Sequence, residues 1–504
     1  MDSVTVFLLS IAGIFLIGAL GEIIFQRTNI PDVIWLIFAG IVLGPCTNIV
    51  TRPELNAIAP YFAAITLVVV LFQGGSTLSL TDLSKAAPRS SLLALLAFTC
   101  SVLAICVFSM AASFVGALPD SWSWMHGLLL GAILGGSSSI IIMPAMAQAK
   151  LPSKIAGLIN LESALTDALC VVGTSAIINI MLSGISSGNP GGELLRSFGI
   201  GLAIGLVAGL FWLLFLRALR SSEHAYPVTL AALMILYVVI DNAGGSAALG
   251  ILTVAVMLGN AKILGQVIGL KKSIQLGSAL RGFHSQMAFF VKSFFFVFIG
   301  AMLGPPWKHI LLGILMGALL YIARIPAVRI ACVGGGFDAA DRRMITISLP
   351  RGMAAGVLAT LPASAGVPGT KELPVVVFSC VFTTILFFAG GFPVARKSIS
   401  GEQEEFEGIL PPGAASPAGF EHRETFSSVN LMAPALSADT TQLSAVGAGA
   451  ITPAPGPASA TASDNPTPGN TTQLSRVART ADPAPEAPAQ SDETSPSDPT
   501  SSDS

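Results

Sequence analysis

Apolar residues along this chain come in long runs with short polar breaks, not in the alternating or every-third-residue patterns of a half-buried strand or surface helix. The runs cover roughly 4–25, 31–49, 57–78, 91–117, 125–148, 155–183, 195–216, 225–241, 247–261, 283–303, 309–333, 344–362 and 373–394. A helix needs about 20 residues to cross the hydrocarbon core of a bilayer, and most of the runs reach that length. The ninth is short. The pattern predicts an all-α polytopic membrane protein with about 13 transmembrane helices. Only Asp2 precedes the first run, with no basic segment, so it reads as a helix and not as a cleaved signal peptide.

Near Gly401 the pattern stops. Residues 401–504 are rich in Ala, Pro, Ser and Thr and poor in large apolar residues, too poor to offset the entropy of ordering. Two domains follow: a transmembrane domain over 1–400 and a disordered, acidic, Ala/Pro/Ser-rich tail over 401–504.

Composition agrees. Of 504 residues, 53% are hydrophobic and 11% charged, against roughly 25% charged in a soluble domain. The six cysteines are too sparse for a disulfide scaffold. With 26 basic and 28 acidic residues there is no basic excess for nucleic acid. The near-neutral total hides two unlike parts. The tail carries 14 acidic and three basic side chains, a net of −11, which leaves residues 1–400 at +9.

Those positive charges are placed asymmetrically. Breaks after odd-numbered runs hold Arg27; Lys85 and Arg89; Lys150 and Lys154; Arg217 and Arg220; Lys262, Lys271, Lys272 and Arg281; Arg342 and Arg343; Arg396 and Lys397. Breaks after even-numbered runs hold only Arg52, Arg196, Lys308 and Lys371. The positive-inside rule puts the N-terminus outside and the C-terminus in the cytoplasm, with the chain integral to a membrane, expected to be the cell membrane. An odd count of helices suggests two inverted six-helix repeats joined by a seventh.

A charge inside a membrane span is costly unless paired or hydrated. The sixth run, LINLESALTDALCVVGTSAIINIML, carries Glu162 and Asp167, about 140° apart around a helix. One can pair while the other faces a cavity. Arg324 lies well inside the eleventh run, and its candidate partners are Glu162 and Asp167. Lys292 is about nine residues from the expected cytoplasmic end of the tenth. It can snorkel, so a structural and a functional role both fit it.

Two runs are interrupted. The fifth holds Gly135, Gly136, Ser137, Ser138 and Ser139 ahead of Pro144, and the twelfth holds Pro350, Arg351 and Gly352. Proline removes a helical donor and restricts the residue before it. Small residues can also mean close helix packing. The two interruptions occupy corresponding places in the two halves, which points to a pair of broken, crossing helices around a midplane ion site. There freed carbonyls and the Ser137, Ser138 and Ser139 hydroxyls can face a cation. Cysteine and histidine spacing gives no metal cluster, and there is no phosphate loop or dinucleotide fingerprint, so no cofactor is expected. The Gly334–Gly336 run reads as a flexible loop.

Several segments in order resemble the monovalent cation:proton antiporter superfamily, the group containing the sodium/proton exchangers. They are IPDVIWLIFAGIVLGP from Ile30, LFQGGSTLSL, LESALTD, IARIPAVRI and LPRGMAAGV, and the likeness spans about residues 5–395. The resemblance implies a secondary transporter, not an enzyme. It implies that Asp167 alternately binds a proton and the cation, beside Thr166 and the Ser137–Ser139 segment. It also implies that Glu162 and Arg324 form an intramembrane ion pair and that Arg351 is the charge of the second broken helix. Substrates are then H+ and Na+, with K+ or Li+ as alternatives, and a homodimer in membrane lipid is the default assembly.

Two departures bear on selectivity. Exchangers usually have Thr-Asp-Pro in the first broken helix, whereas the three serines here are closer to the glutathione-gated potassium efflux branch. Thr166 stands where exchangers have Asn and electrogenic bacterial antiporters have Asp. One free carboxylate then predicts electroneutral 1:1 exchange by alternating access.

Overall fold

The computed structural model describes residues 3–28, 30–77, 80–149, 151–186, 190–218, 225–267 and 278–409. Helix continues nine residues into the segment expected as a disordered tail, through Ile409, and the rest of it, 410–504, lies outside the described residues. In chain order the helices are α1 (Ser3–Thr28), α2 (Asp32–Ile41), α3 (Arg52–Thr77), α4 (Leu80–Phe114), α5 (Trp124–Ile133), α6 (Ser139–Gln148), α7 (Ser153–Ser186), α8 (Pro190–Ala218) and α9 (Ala225–Asn242). They continue with α10 (Ala247–Gly259), α11 (Ala261–Val267), α12 (Ser278–Met302), α13 (Trp307–Ala331), α14 (Ala339–Ile347), α15 (Met353–Leu358), α16 (Leu361–Ser364) and α17 (Leu373–Ile409). Among the described residues no β-strand is present.

Every apolar run of the sequence carries helix. The helices outnumber the runs because the fifth and twelfth runs are split and short α11 and α16 are added. By length and composition alone, six helices among the described residues can cross a membrane: α3, α4, α7, α8, α13 and α17. Thirteen crossings is therefore the reading from the sequence, and helix length by itself does not set that number. Leu16, Leu103, Phe211 and Leu311 stand outward on α1, α4, α8 and α13, the arrangement expected where the surroundings are hydrocarbon.

The helices pack in two sets. In one, α2 lies along α12 and α1, while α10 lies along α3, α8 and α9. In the other, α13 lies between α4 and α17, and α4 also packs on α5 and α7. Small residues set the spacing inside each set. A Cβ on Gly300 of α12 would run into the Ile37 carbonyl of α2, and one on Gly313 of α13 would run into the Val376 carbonyl of α17. Without a hydrophobic drive in lipid, such close backbone approach supplies van der Waals contact. Aromatic pairs bridge the two sets: Phe298 of α12 sits 5.9 Å from Phe378 of α17, and Phe38 of α2 sits 5.9 Å from Phe382 of α17.

Pro45 perturbs α2. Its helix runs on into a π-turn over Val42–Cys46, closed by the Thr47 N–H donating to the Val42 carbonyl at 3.0 Å. The Gly334–Gly336 run, expected to be flexible, is instead held. Arg89 of α4 donates to the Gly334 carbonyl at 2.6 Å. Lys154 of α7 donates to the Gly335 and Gly336 carbonyls at 2.9 and 3.0 Å and lies over the Phe337 ring.

Candidate ion site at the crossed helix breaks

The first break spans residues 134–138, between α5 and α6. Gly135 and Gly136 are required there by space: a Cβ on Gly136 would meet the Cys170 sulfur at 2.9 Å, and one on Gly135 the Phe98 ring. Pro144, read from the sequence as the cause of the break, lies inside α6 and is exposed. The glycine and serine segment interrupts the helix, not the proline. The second break spans residues 348–352, between α14 and α15, with Gly352 as the cap. The two breaks meet. The Ser138 N–H donates to the Pro350 carbonyl at 2.8 Å, and a Cβ on Gly352 would collide with the Ser138 side chain.

A helix end leaves backbone groups without intrahelical partners, and buried ones must be satisfied elsewhere. Helix α7 does this for the first break. The Ser137 N–H donates to the Thr166 hydroxyl at 3.3 Å, and that hydroxyl donates to the Ser163 carbonyl at 3.0 Å. The Ser163 hydroxyl donates to the Ser137 carbonyl at 2.7 Å, and the Ser137 hydroxyl donates to Glu162 at 3.2 Å. Ser137 and Thr166 are thus committed to holding the break. Among the described residues the Ser138 and Ser139 hydroxyls make no hydrogen bond.

Glu162 and Arg324 are 0% and 2% exposed. The guanidinium donates to both carboxylate oxygens, at 3.0 and 2.8 Å, and its Nε donates to the Ile345 carbonyl at 3.1 Å. Of the two partners open to Arg324 in the sequence, the structure selects Glu162. Asp167, five residues on, is half-buried. Among the described residues nothing hydrogen-bonds or ion-pairs with its carboxylate. Arg351 is 1% exposed and has one side-chain bond, from Nη2 to the Ser101 hydroxyl at 3.2 Å. Its backbone N–H donates to the Thr384 hydroxyl at 3.0 Å, and its Nε is buried with no partner.

Lys292 lies elsewhere. It donates to Asp32 at 2.6 Å, tying α12 to the start of α2. It neither snorkels unpaired nor stands at the breaks.

Residues 11–397 match the family model described as "Sodium/hydrogen exchanger, transmembrane". The chain belongs to the sodium/hydrogen exchanger family. It is an integral membrane protein and a cation:proton antiporter, a secondary transporter and not an enzyme. Among similar proteins, this exchanger is 26% identical over 405 residues to the K(+)/H(+) antiporter NhaP of Alkalimonas amylolytica, covering 79% of this chain and 67% of that one. It is 23% identical over 354 residues to the Na(+)/H(+) antiporter 1 of Methanocaldococcus jannaschii, covering 68% and 80%. The fold resembles the solved structure of the sodium proton antiporter MjNhaP1 of that archaeon at pH 8, with a TM-score of 0.62 at 21% identity, over 78% of this exchanger and 99% of that chain.

Sequence reasoning missed several participants. Ser101 and Thr384 stand beside other hydroxyl residues (Thr99 and Thr383) inside apolar runs, a weak signal that did not single them out. Ser163 stands within the LESALTD segment and was passed over. Asp32 as partner of Lys292 had no signal, because 260 residues separate the two.

Proposed function

We propose that this exchanger carries Na+ against H+, one for one, with Asp167 as the carboxylate the two ions occupy in turn. One observation carries the reading: beside the crossed breaks, Asp167 has no hydrogen-bond or ion-pair partner among the described residues, while its neighbour Glu162 is neutralised by Arg324. A cation needs the ionised carboxylate and a proton removes that charge, so the two ligands exclude each other. The Ser138 and Ser139 hydroxyls, which make no hydrogen bond among the described residues, are candidates to complete a hard cation's oxygen shell.

With one exchangeable charge, a proton and a monovalent cation leave the loaded site with the same charge, which makes the cycle electroneutral. Access alternates by movement of one helix set against the other along their aromatic seam. The basic breaks support an N-terminus outside and a C-terminus in the cytoplasm of the cell membrane. A homodimer is the assembly the superfamily resemblance implies.

A K+ substrate is the second reading. The three-serine break favours it, and so do the relatives named K(+)/H(+) antiporters.

Proton flux in proteoliposomes, with Na+, Li+ and K+ supplied in turn at several pH values, tests the reading and ranks the cations. Asp167→Asn is expected to abolish exchange in a protein that still purifies folded. Exchange surviving that substitution removes Asp167 from its role, and a net current during exchange overturns the 1:1 stoichiometry.

A further inference from the structure

At one contact between the two helix sets, a ring stands where a side chain is missing. Phe295 of α12 is 2% exposed. Its ring reaches so far into α15 that a Cβ on Gly356 would overlap the ring's Cζ. Two rings of its own set hold Phe295 in place. Phe62 of α3 stacks on it at 6.3 Å, and Phe296 meets it edge-on at 5.8 Å. Across the contact, α15 is buried from Met353 to Leu358 and packs on both α3 and α12.

The ring has one seat. The Gly356 N–H donates to the Gly352 carbonyl at 3.3 Å, so the two glycines lie one turn apart. The space a Cβ would take at Gly352 is already filled by the Ser138 side chain. Four residues the other way, Thr360 carries a buried side chain of its own, whose hydroxyl donates to the Val357 carbonyl at 2.8 Å. Residues four apart share a helix face. Sliding α15 along the ring by a turn in either direction therefore drives it into an occupied position. Close-packed contacts of this kind have discrete arrangements and do not deform smoothly.

We propose that Phe295 is a positioning residue for transport: its ring, seated at Gly356, is a detent that holds the second helix set in the arrangement seen here. The ring has to withdraw from that seat before the ion site can face the other side of the membrane. Withdrawal gives up dispersion contacts and no hydrogen bond, so the hold is firm and still reversible. Glycine is needed at 356 because a ring and a methyl group cannot share the space. This rests on the proposed movement of one helix set against the other.

Labels on the two sets read that movement directly. Thr28 ends α1 and Ala149 follows α6, close to where the Gln148 side chain donates to the Phe25 carbonyl at 3.3 Å. Exposed Cys46 and half-buried Cys100 are changed to Ser. The full-length exchanger with Thr28→Cys and Ala149→Cys is then spin-labelled, reconstituted in lipid, and its label-to-label distances are recorded with and without Na+ at alkaline pH. Two distances are expected, the shorter belonging to the arrangement seen here. Gly356→Ala is expected to shift their ratio about tenfold away from the shorter one, the effect of one overpacked methyl group. Phe295→Leu shifts the ratio the same way, because the seat is left partly empty. The Phe295→Leu/Gly356→Ala variant returns the ratio to within about threefold of native, since the smaller side chain leaves room for the methyl. If Gly356→Ala does not fold, Phe295→Leu and the double variant still carry the test.

A native ratio in either single variant that folds overturns the proposal. So does a double variant displaced by the sum of the two single shifts. One fixed distance in the native exchanger under both conditions sinks the proposed movement and the detent with it. Two distances whose ratio ignores positions 295 and 356 sink this inference alone.

Discussion

Replacing Glu162 with Gln keeps the side-chain volume but leaves the Arg324 guanidinium, 2% exposed, against a neutral amide. The two charge-assisted bonds at 3.0 and 2.8 Å become at best one neutral bond, and the Ser137 hydroxyl loses its charged acceptor. Removing one partner of a buried ion pair costs about 3–5 kcal/mol. The weakened Ser137 bond adds roughly 1 kcal/mol. Native domains are stable by only about 5–15 kcal/mol, so the loss is a large share of the whole. In detergent, the melting temperature followed by tryptophan fluorescence should fall by about 5–10 °C. Arg324→Gln should cost a similar amount, because it strands Glu162 at 0% exposure. The Glu162→Gln/Arg324→Gln double variant buries no charge, and should be more stable than the sum of the single losses by about 2 kcal/mol or more. Additive losses, or a Glu162→Gln protein melting within about 2 °C of the native one, would refute the reasoning.

Two further outcomes follow from groups away from the breaks. Lys292→Met or Asp32→Asn removes a pair at 2.6 Å whose side chains are 18% and 15% exposed. Partial exposure limits the cost to about 1–2 kcal/mol, read as a modest drop in melting temperature. The cation KM should stay native, because the pair joins α2 to α12 and not the breaks; a shifted KM would place Lys292 in the transport path. At the start of α3, the Thr51 N–H and hydroxyl both donate to Glu54 at 2.8 Å, which holds that carboxyl below the usual carboxylate range. A lowered folded value means that the stabilisation is complete above the ordinary value and is lost as pH falls through the lowered one. The melting deficit of Thr51→Ala relative to the native protein should therefore be level above about pH 5 and shrink below about pH 4. A deficit that holds level or widens down to pH 3 would contradict it.

Much of this was legible in the residues because lipid removes options. A run of apolar side chains has to be helix, and an interruption in it has to be compensated. That is why both breaks, and the pairing of a buried arginine with a carboxylate near position 162, could be read before any coordinates. The misplaced cause of the first break shows where reading stops. Pro144 is the louder signal, yet α6 absorbs it, and the close approach of Cys170 and Phe98 to Gly136 and Gly135 sets the interruption. Spatial neighbours of that kind, like Asp32 across from Lys292, arise from helices that meet only after folding. Hydroxyl roles were equally hidden. Three consecutive serines look interchangeable in sequence, but the Ser137 hydroxyl bonds Glu162 while the Ser138 and Ser139 hydroxyls bond nothing among the described residues.

The bond from the Ser138 N–H to the Pro350 carbonyl fastens one interruption to the other. Neither half-helix can then swing aside on its own without breaking the stitch. On the proposed site, an ion lodged there travels with both interruptions as a unit, not by loosening first one strap and then the next. On that proposal the exchanger is a single turnstile, and a side chain wedged in at Gly352, against Ser138, is expected to jam both directions of flow together.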